Sequence, residues 1–234
     1  MTTSLSPAPP APAATRPVRS AGSLMLPLAG GALVAGSLLY VAGLATSPPT
    51  ESLADADYIA SLAADEGQTA LSALLLHYGN MALGLAWLAA PALVRGRRGR
   101  IPTIVGALLS AIGLVTVTGL VLYDFWTGGI GRELPADTAL ALFGSVQGSA
   151  GVAVVGTVTL LGLLGPLVGY AGLARAGVIS WWLLVPAVAC LVASAALTFS
   201  PLLYAGFALL GAAPAVVVGV RMLQRSRAEA TVAG

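Results

Sequence analysis

The side chains best able to do chemistry are few, and five of them fall near the same end of neighbouring apolar runs. His77 and Asn80 are three residues apart, so a helix would carry both on one face. Asp124 follows a later apolar run, whereas Gln147 and Ser149 begin the next one. Together these residues could line a polar pocket that binds a small ligand, with His77 and Asp124 as its titratable members.

The same side chains allow two other interpretations. His77 and Asn80 could form hydrogen bonds between helices, each of which stabilises a membrane protein by about 0.6 kcal/mol. Alternatively, His77 and Asp124 could act together in catalysis. A single sequence does not show the order of helices around a bundle, so all three interpretations remain open at this point.

Counting ligands argues against metals and cofactors. The chain has one His and one Cys, and Cys190 lies inside an apolar run. A bis-histidine haem needs two His residues, and one Cys can frame neither a metal site nor an internal disulfide. His77 and Met81 suit copper(I), but two ligands are too few. We therefore predict no cofactor and no metal site.

Composition excludes most protein classes. Of 234 residues, 57% are hydrophobic and 9% are charged, whereas a soluble domain has about 25% charged residues. A soluble enzyme and a nucleic-acid-binding domain are excluded, because neither could cover its surface with polar groups. We predict an all-α, polytopic integral membrane protein whose surroundings are the lipid bilayer and which has no nucleic-acid partner.

Six apolar runs are long enough to cross a bilayer, for which a helix needs roughly 20 residues. Membrane-spanning strands would be about 10 residues long and would alternate in polarity, so these continuous runs favour helices. The predicted six-helix transmembrane domain covers residues 21–224, with spans at about 23–44, 70–94, 102–123, 148–173, 178–198 and 202–222.

The arginines predict the orientation of this bundle. With six spans, every basic residue except Arg132 falls on one side, and every acidic residue except Glu229 falls on the other. Arginine-rich loops stay in the cytoplasm, so both termini are predicted to be cytoplasmic (N-in, C-in). The chain has no lysine and is rich in Ala, Gly and Val. Because GC-rich codon usage produces this pattern, we predict a bacterial cytoplasmic membrane.

The segments outside the spans are predicted to form two cytoplasmic tails and two outer loops. Residues 1–20, rich in Pro, Ala, Ser and Thr, predict a disordered cytoplasmic tail, and residues 225–234 predict a second tail. The first apolar run loosely imitates a secretory signal but exceeds its usual length of about 7–15 residues, so we expect it to be retained. The outer loop 45–69 should carry a short surface helix capped by Thr50. A second, glycine-rich outer loop should end at Asp137, as the cap of the next apolar segment.

Small residues at helical spacing predict where helices touch. Lipid tails are as apolar as leucine, so close approach at small residues and hydrogen bonds must hold membrane helices together. Span 3 and span 4 both carry such a stripe, and glycine-rich span 4 is expected to be central. Either stripe could contact this chain, a second copy or another membrane protein. The stripes contain Gly106, Ser110 and Gly113 in span 3 and Gly165 and Gly169 in span 4.

One enzyme family shares some of these features. His77 and Asn80 in span 2, with Gly148-Ser149-Ala150-Gly151 near span 4, superficially resemble rhomboid intramembrane proteases. In that family one residue separates the glycine from the serine, and the catalytic histidine lies in span 6, where this chain has none. A serine without a general base is not an activated nucleophile. We therefore predict no catalytic residues of this type.

Three functions are compatible with the sequence. An accessory or scaffold membrane subunit is favoured, with the small stripes contacting a partner or a second copy. The alternative is a binding protein or uncoupled transporter for a small apolar molecule or lipid, with an outward-facing pocket around His77. The third is an intramembrane enzyme. No charged residue falls near the middle of a span, which argues against ion-driven transport.

Overall fold

The computed structural model describes residues 21–196 and 200–232, so the predicted tail 1–20 lies outside the described residues. Within these ranges all regular secondary structure is helical, which confirms the all-α prediction. Short 3-10 turns occur at Ala90–Leu93 and Trp181–Leu183. The α-helices are α1 (Ala21–Ala45), α2 (Asp55–Ala64), α3 (Glu66–Trp87), α4 (Arg100–Glu133), α5 (Ala136–Gln147), α6 (Ala150–Leu163), α7 (Gly165–Arg175), α8 (Leu184–Ala196) and α9 (Pro201–Val232).

Five segments of the described chain are long and apolar enough to cross a membrane. They are Leu24–Ala45, Glu66–Trp87, Arg100–Glu133, Ala150–Arg175 and Pro201–Thr231. In the predicted fifth span, 178–198, the described residues form a shorter apolar helix, and residues 197 and 198 lie outside the described residues. The 13 residues of α8 extend about 20 Å, less than the hydrocarbon thickness of about 30 Å. The predicted C-terminal tail is helical as far as Val232, because α9 continues through it.

The long helices form a ring in which neighbours run antiparallel. The order around the ring is α8, α9, α1, α3 and α4, then the rod formed by α6 and α7. At one end of the α1–α9 pair Gly30 faces Gly219, and near the other end Leu44 packs with Ala205. Helix α7 also contacts α8, which closes the ring. The ring therefore has an interior that all of these helices can line.

The two ends of the ring differ in charge. The end at which α1 finishes and α3 begins, called the acidic end below, carries every acidic side chain of the described residues except Glu229. The opposite end, called the arginine end, carries every described arginine except Arg132. The charge separation inferred from the sequence is thus also a separation along the axis of the bundle.

Helix α4 packs against α6 and α7 backbone to backbone. A Cβ atom added to Gly106 would lie 2.1 Å from the Gly169 nitrogen, and one on Gly165 would lie 2.3 Å from the Ser110 nitrogen. A Cβ on Gly113 would lie 2.1 Å from the Gly162 Cα. Nothing larger than hydrogen fits at these glycines. The two small stripes therefore face each other within one chain.

Span 4 is central only in part. Its stretch from Gly162 to Gly172 contacts α4, but the buried residues are unevenly divided. In α6 only Thr159 and Gly162 are buried, whereas six of the eleven residues of α7 are buried. Val154 and Leu160 of α6 are more than half exposed, at 63% and 68%. Helix α6 therefore presents an apolar surface to the bilayer.

Helix α4 is longer than a helix that crosses a bilayer needs to be. Its 34 residues span about 50 Å, and the glycine-rich segment predicted as a loop is its final part. A Cβ on Gly128 would lie 2.9 Å from the Leu62 carbonyl oxygen, and one on Gly131 would lie 2.8 Å from an Ile59 side-chain carbon. The prediction of a loop here is wrong, because these glycines permit a close crossing with α2.

Helix α2 forms within the predicted outer loop, but its start differs from the prediction. Thr50 donates a hydrogen bond to the Ser52 carbonyl oxygen and caps no helix, since α2 begins at Asp55. Asp137 likewise lies in the first turn of α5, whose N-cap position is Pro135. The apolar face of α2, including the buried Ile59, packs on the final part of α4. Helix α2 is therefore part of the bundle and does not merely lie on the membrane surface.

Candidate functional site

A cavity of about 260 Å³ lies at the acidic end. It is enclosed by the end of α1, the loop that follows it, α2, the start of α3, Asp124 of α4 and the start of α9. Leu53 and Asp55 at its rim are exposed, so the cavity opens at this end. We call it the acidic-end cavity. Its polar lining consists of Ser47, Thr50, Ser52, Asp55, Tyr58, Ser61, Thr69, Ser72, Asp124 and Tyr204.

Asp124 is held in this cavity by a tyrosine of α2. The Tyr58 hydroxyl donates a hydrogen bond to Asp124 Oδ1, and the Tyr58 ring packs on Phe143 with 6.0 Å between centroids. Burial raises the pKa of the Tyr58 hydroxyl, and the neighbouring Asp124 raises it further. The phenol therefore stays protonated near neutral pH and keeps donating to the carboxylate.

Hydroxyl groups join the other walls of the cavity. The Ser47 and Ser72 hydroxyl oxygens are 2.8 Å apart, and Ser72 also donates to the Gly43 carbonyl oxygen at 2.9 Å. Thr69 donates to the Leu62 carbonyl oxygen at 2.9 Å. These bonds fix the ends of α1, α2 and α3, and each hydroxyl oxygen retains a lone pair with which it can accept a hydrogen bond from a ligand.

A second cavity, of about 150 Å³, lies deeper in the ring. We call it the central cavity. Helices α1, α3, α4, α6, α7, α8 and α9 all contribute to its lining. None of these lining residues is charged, and most are apolar. Its few polar members are Ser37, Tyr40, Asn80, Tyr170 and Cys190.

The two cavities are stacked along the axis of the bundle. On α1, Ser47 lines the acidic-end cavity and Ser37 lines the central one; on α3, Ser72 and Asn80 do the same. Helix α9 contributes to both as well. At about 1.5 Å per residue, the steps along α1 and α3 place the central cavity roughly 10–15 Å below the acidic-end cavity.

A layer of side chains separates the cavities. Its centre is a pair of tyrosines, Tyr40 of α1 and Tyr204 of α9, whose hydroxyl oxygens are 3.2 Å apart and hydrogen-bonded. Tyr204 lines the acidic-end cavity, whereas Tyr40 lines the central cavity. The remaining members of the layer are Val41, Leu44, Leu76, Cys190, Ala205 and Ala208.

Below the central cavity the bundle is closed. Side chains from α1, α3, α7 and α9 pack there with almost no exposed surface. The interior of the ring is therefore closed toward the arginine end by close packing. The sealing residues are Leu33, Trp87, Leu173, Val218 and Met222. A cavity of about 560 Å³ at that end is lined by the connection between α3 and α4 and by the start of α4, including Arg95, Arg97 and Arg100.

The five side chains predicted as a ligand pocket lie in different places. His77 Nδ1 is 3.3 Å from the Thr118 carbonyl oxygen, which links α3 to α4. Asn80 lines the central cavity and donates to the Leu76 carbonyl oxygen within its own helix. Asp124 lines the acidic-end cavity.

The other two are peripheral. Gln147 ends α5 and is exposed, and the exposed Ser149 hydroxyl accepts a hydrogen bond from the Val152 backbone N–H as the N-cap of α6. In the residues that the structure describes, His77 forms the interhelical contact considered for it from the sequence. No three His, Cys, Asp or Glu side chains of the described chain are grouped as metal ligands.

The tyrosines of the site were not predicted. Tyr58 lies in the segment for which the sequence predicted only a short surface helix, and Tyr40 and Tyr204 lie inside apolar runs. A tyrosine within a span, away from the usual interfacial belt, was the available signal, because its hydroxyl needs a partner in an apolar surrounding. Comparison with models of known protein families, with curated proteins and with solved structures finds no match to this chain.

Proposed function

We propose that the chain is a binding protein or uncoupled transporter of the bacterial cytoplasmic membrane, with a ligand site in the acidic-end cavity. The observation that carries this proposal is a polar cavity open at one end of a bundle whose interior is closed toward the other end. By the positive-inside rule the arginine end faces the cytoplasm. Both termini are then cytoplasmic, and the site opens to the outer side.

The lining of the cavity restricts the ligand. Two carboxylates, Asp55 and Asp124, line it together with hydroxyl groups, and none of the described residues that line it is an arginine or a lysine. An anionic group would be repelled, whereas a cationic amine or a neutral hydrogen-bond donor would be attracted. The favoured ligand is a small molecule with an amine group. Because His77 lies against α4 and does not line this cavity, the enzyme interpretation is without support from the geometry.

The accessory-subunit function has less support. The residues that motivated it, including Gly106 and Gly169, contact each other inside the chain and are not free to receive another helix. A partner protein or a second copy would have to bind elsewhere. Helix α6 offers the best surface, since a Cβ on Gly151 or Gly156 would meet nothing within 4 Å.

Thermal unfolding of the purified protein with three matched probes tests the proposal. Butylamine, butanol and butyrate share a short tail and differ in the charge of the head group. We expect butylamine to raise the unfolding temperature most, because binding to the folded state stabilises it by about 2.7 kcal/mol at 100 times Kd. Equal effects of the three probes would contradict the proposal.

Two variants sharpen this test. Asp124→Asn removes the carboxylate inside the cavity, leaves the exposed Asp55 at its rim, and should abolish most of the shift produced by butylamine. Glu229→Gln removes a charge at the arginine end, where Glu229 pairs with Arg225 at 2.9 Å, and should leave the shift unchanged. An undiminished butylamine shift in Asp124→Asn would place the amine outside this cavity.

A further inference from the structure

We propose that the central cavity is a second, apolar part of the ligand site, which receives the alkyl tail of an amphipathic amine when Tyr40 and Tyr204 separate. This inference rests on the proposed function, because it extends the same site toward the middle of the membrane. It also specifies the ligand class: the head group binds at Asp124 and the tail lies below the tyrosine pair.

The position of the two cavities is the first argument. Both are lined by α1, α3, α4 and α9, and the lining residues follow the same order along each of these helices. A ligand bound at the acidic end therefore points its tail along the axis of the bundle toward the central cavity. The lining residues fit this direction. Carboxylates and hydroxyls line the acidic-end cavity, where the head group would bind, and uncharged, mostly apolar groups line the central cavity, where the tail would lie.

The layer between the cavities is thin and can be opened locally. Its polar contact is the hydrogen bond between the Tyr40 and Tyr204 hydroxyl groups, at 3.2 Å. Two tyrosine side chains can rotate without moving a helix. The side chains that pack beside them include the small residues Ala205 and Ala208.

The rate at which a thiol reagent modifies Cys190 can be used to measure this opening. Cys190 is its single cysteine, and it both lines the central cavity and packs in the layer below Tyr204. Under this proposal, a membrane-impermeant, positively charged methanethiosulfonate added from the acidic end reaches this thiol through the layer. The Cys190 thiolate attacks the reagent sulfur, a mixed disulfide forms, and methanesulfinate leaves.

The first experiment measures the rate of Cys190 modification in the full chain in sealed vesicles. We expect slow modification of the natural sequence and a rate at least tenfold higher in Tyr40→Ala and in Tyr204→Ala. Tyr78→Ala is the matched control, because Tyr78 is 58% exposed and lines neither cavity. Unchanged rates in both tyrosine variants, or an equal increase in Tyr78→Ala, would overturn the proposal.

Tyr204→Phe separates the hydrogen bond from the bulk of the ring. It removes the hydroxyl and keeps the ring, so we expect a rate between those of the natural sequence and Tyr204→Ala. A rate that matches Tyr204→Ala would still support the pair as the barrier. A rate below that of the natural sequence would contradict a barrier held by the hydrogen bond.

The second experiment uses two amines of different length. Octylamine has four more methylene groups than butylamine, and each methylene removed from water improves affinity about fourfold. We expect octylamine to slow Cys190 modification at least threefold, at concentrations at which butylamine stabilises the protein without protecting the thiol. Octylamine that stabilises the protein and leaves Cys190 reactive would overturn the tail site, while the head-group site would stand.

A filled central cavity provides the last control. Ala212 lines this cavity and the neighbouring Ala213 does not, so Ala212→Leu should remove the protection by octylamine and Ala213→Leu should keep it. Butylamine should stabilise both variants alike. Failure of both amines to stabilise the natural protein would refute the proposed function itself, which is a different outcome from loss of protection alone.

Discussion

The bundle has a closely packed side and a side that contains cavities. Where α4 meets α6 and α7, backbones touch at glycines such as Gly113 and Gly162. Helix α1 also meets α3 and α9 closely, at Gly79 and at Gly30, but two cavities remain where α1, α3, α8 and α9 face one another. Close packing holds helices rigidly in a membrane, whereas space allows movement and binding. The difference indicates a rigid scaffold on one side and a ligand site on the other.

The largest effect is expected on the closely packed side. In Gly113→Ala the new Cβ would lie 2.1 Å from the Gly162 Cα, although carbon atoms pack at about 3.5–4.0 Å. We expect a loss of about 3 kcal/mol in unfolding free energy, the upper part of the usual overpacking range. Reversible unfolding in mixed micelles measures this loss.

The matched control for that variant is Gly156→Ala. A Cβ on Gly156, also in α6–α7, would meet nothing within 4 Å, so the free energy of unfolding should stay the same or rise slightly, since alanine favours helix over glycine. Similar losses in the two variants would mean that the glycine contact between α4 and α6 is not what holds the scaffold together.

A smaller effect is expected where α4 crosses α2. Gly128→Ala brings a Cβ to 2.9 Å from the Leu62 carbonyl oxygen and should push α2 away, at a cost of about 2 kcal/mol. Hydrogen exchange should become faster in α2 and remain slow in the middle of α4. Gly129→Ala, whose Cβ would meet nothing within 4 Å, should leave exchange unchanged. Equal exchange in both variants would refute the close crossing.

On the side that contains cavities, the position of α2 depends on a hydrogen bond to Asp124. Tyr58→Phe removes the bond to Asp124, and a hydrogen bond to a charged group contributes about 1.5 kcal/mol or more. We expect α2 to become less stable by this amount and the effect of butylamine to weaken. Ser61→Ala is the control, because Ser61 lines the same cavity and donates to the Tyr58 carbonyl oxygen within α2. If the two variants lose the same stability, the bond from Tyr58 to Asp124 does not stabilise α2 more than the bond from Ser61 does.

The same tyrosine predicts a dependence on alkaline pH. Because the pKa of Tyr58 is raised in the folded protein, the unfolded chain loses this proton first as the pH rises. Stability from the protonated Tyr58 is therefore complete below the unfolded pKa of about 10 and declines above it. The difference in unfolding temperature between the natural protein and Tyr58→Phe should shrink above that pH. A constant difference up to pH 11 would contradict the raised pKa.

The smallest effect is expected from an exposed ion pair at the acidic end. Glu66 and Arg132 form an ion pair at 3.7 Å, and their side chains are 77% and 31% exposed. Solvent screens such a pair, so Glu66→Gln should change the unfolding free energy by less than about 0.5 kcal/mol. A loss above 1 kcal/mol would show that the ion pair between Glu66 and Arg132 stabilises the folded protein despite its exposure.

Local patterns in the sequence were sufficient for the helices and for one interface. The run lengths predicted helices, and the spacing of Gly106, Ser110 and Gly113 predicted a contact surface. They did not predict that Gly128 and Gly131 serve the same purpose, because a glycine pair in a turn and one in a close helix crossing look alike in sequence. The neighbour that distinguishes them, α2, is more than 60 positions away along the chain.

The candidate site shows where prediction from sequence ends. His77 and Asp124 were expected in one pocket because both lie near the acidic end. In the structure His77 faces Thr118 of α4, and Asp124 faces Tyr58 of α2. Depth along a helix follows from counting residues, but the direction in which a side chain points depends on the rotation of each helix against its neighbours.

Sequence alone thus determined the helical class, the membrane setting suggested by the apolar runs and the division of charge between the ends. These properties depend on composition and on periodicity over short stretches. Only the tertiary structure decided which helices are neighbours and that the small stripes face each other. It also decided that two cavities are stacked along the bundle, with Asp124 in the lining of the outer one. The physical reason is that contacts between α1 and α9, or α4 and α7, join residues far apart in the chain, and close packing selects one arrangement of the helices.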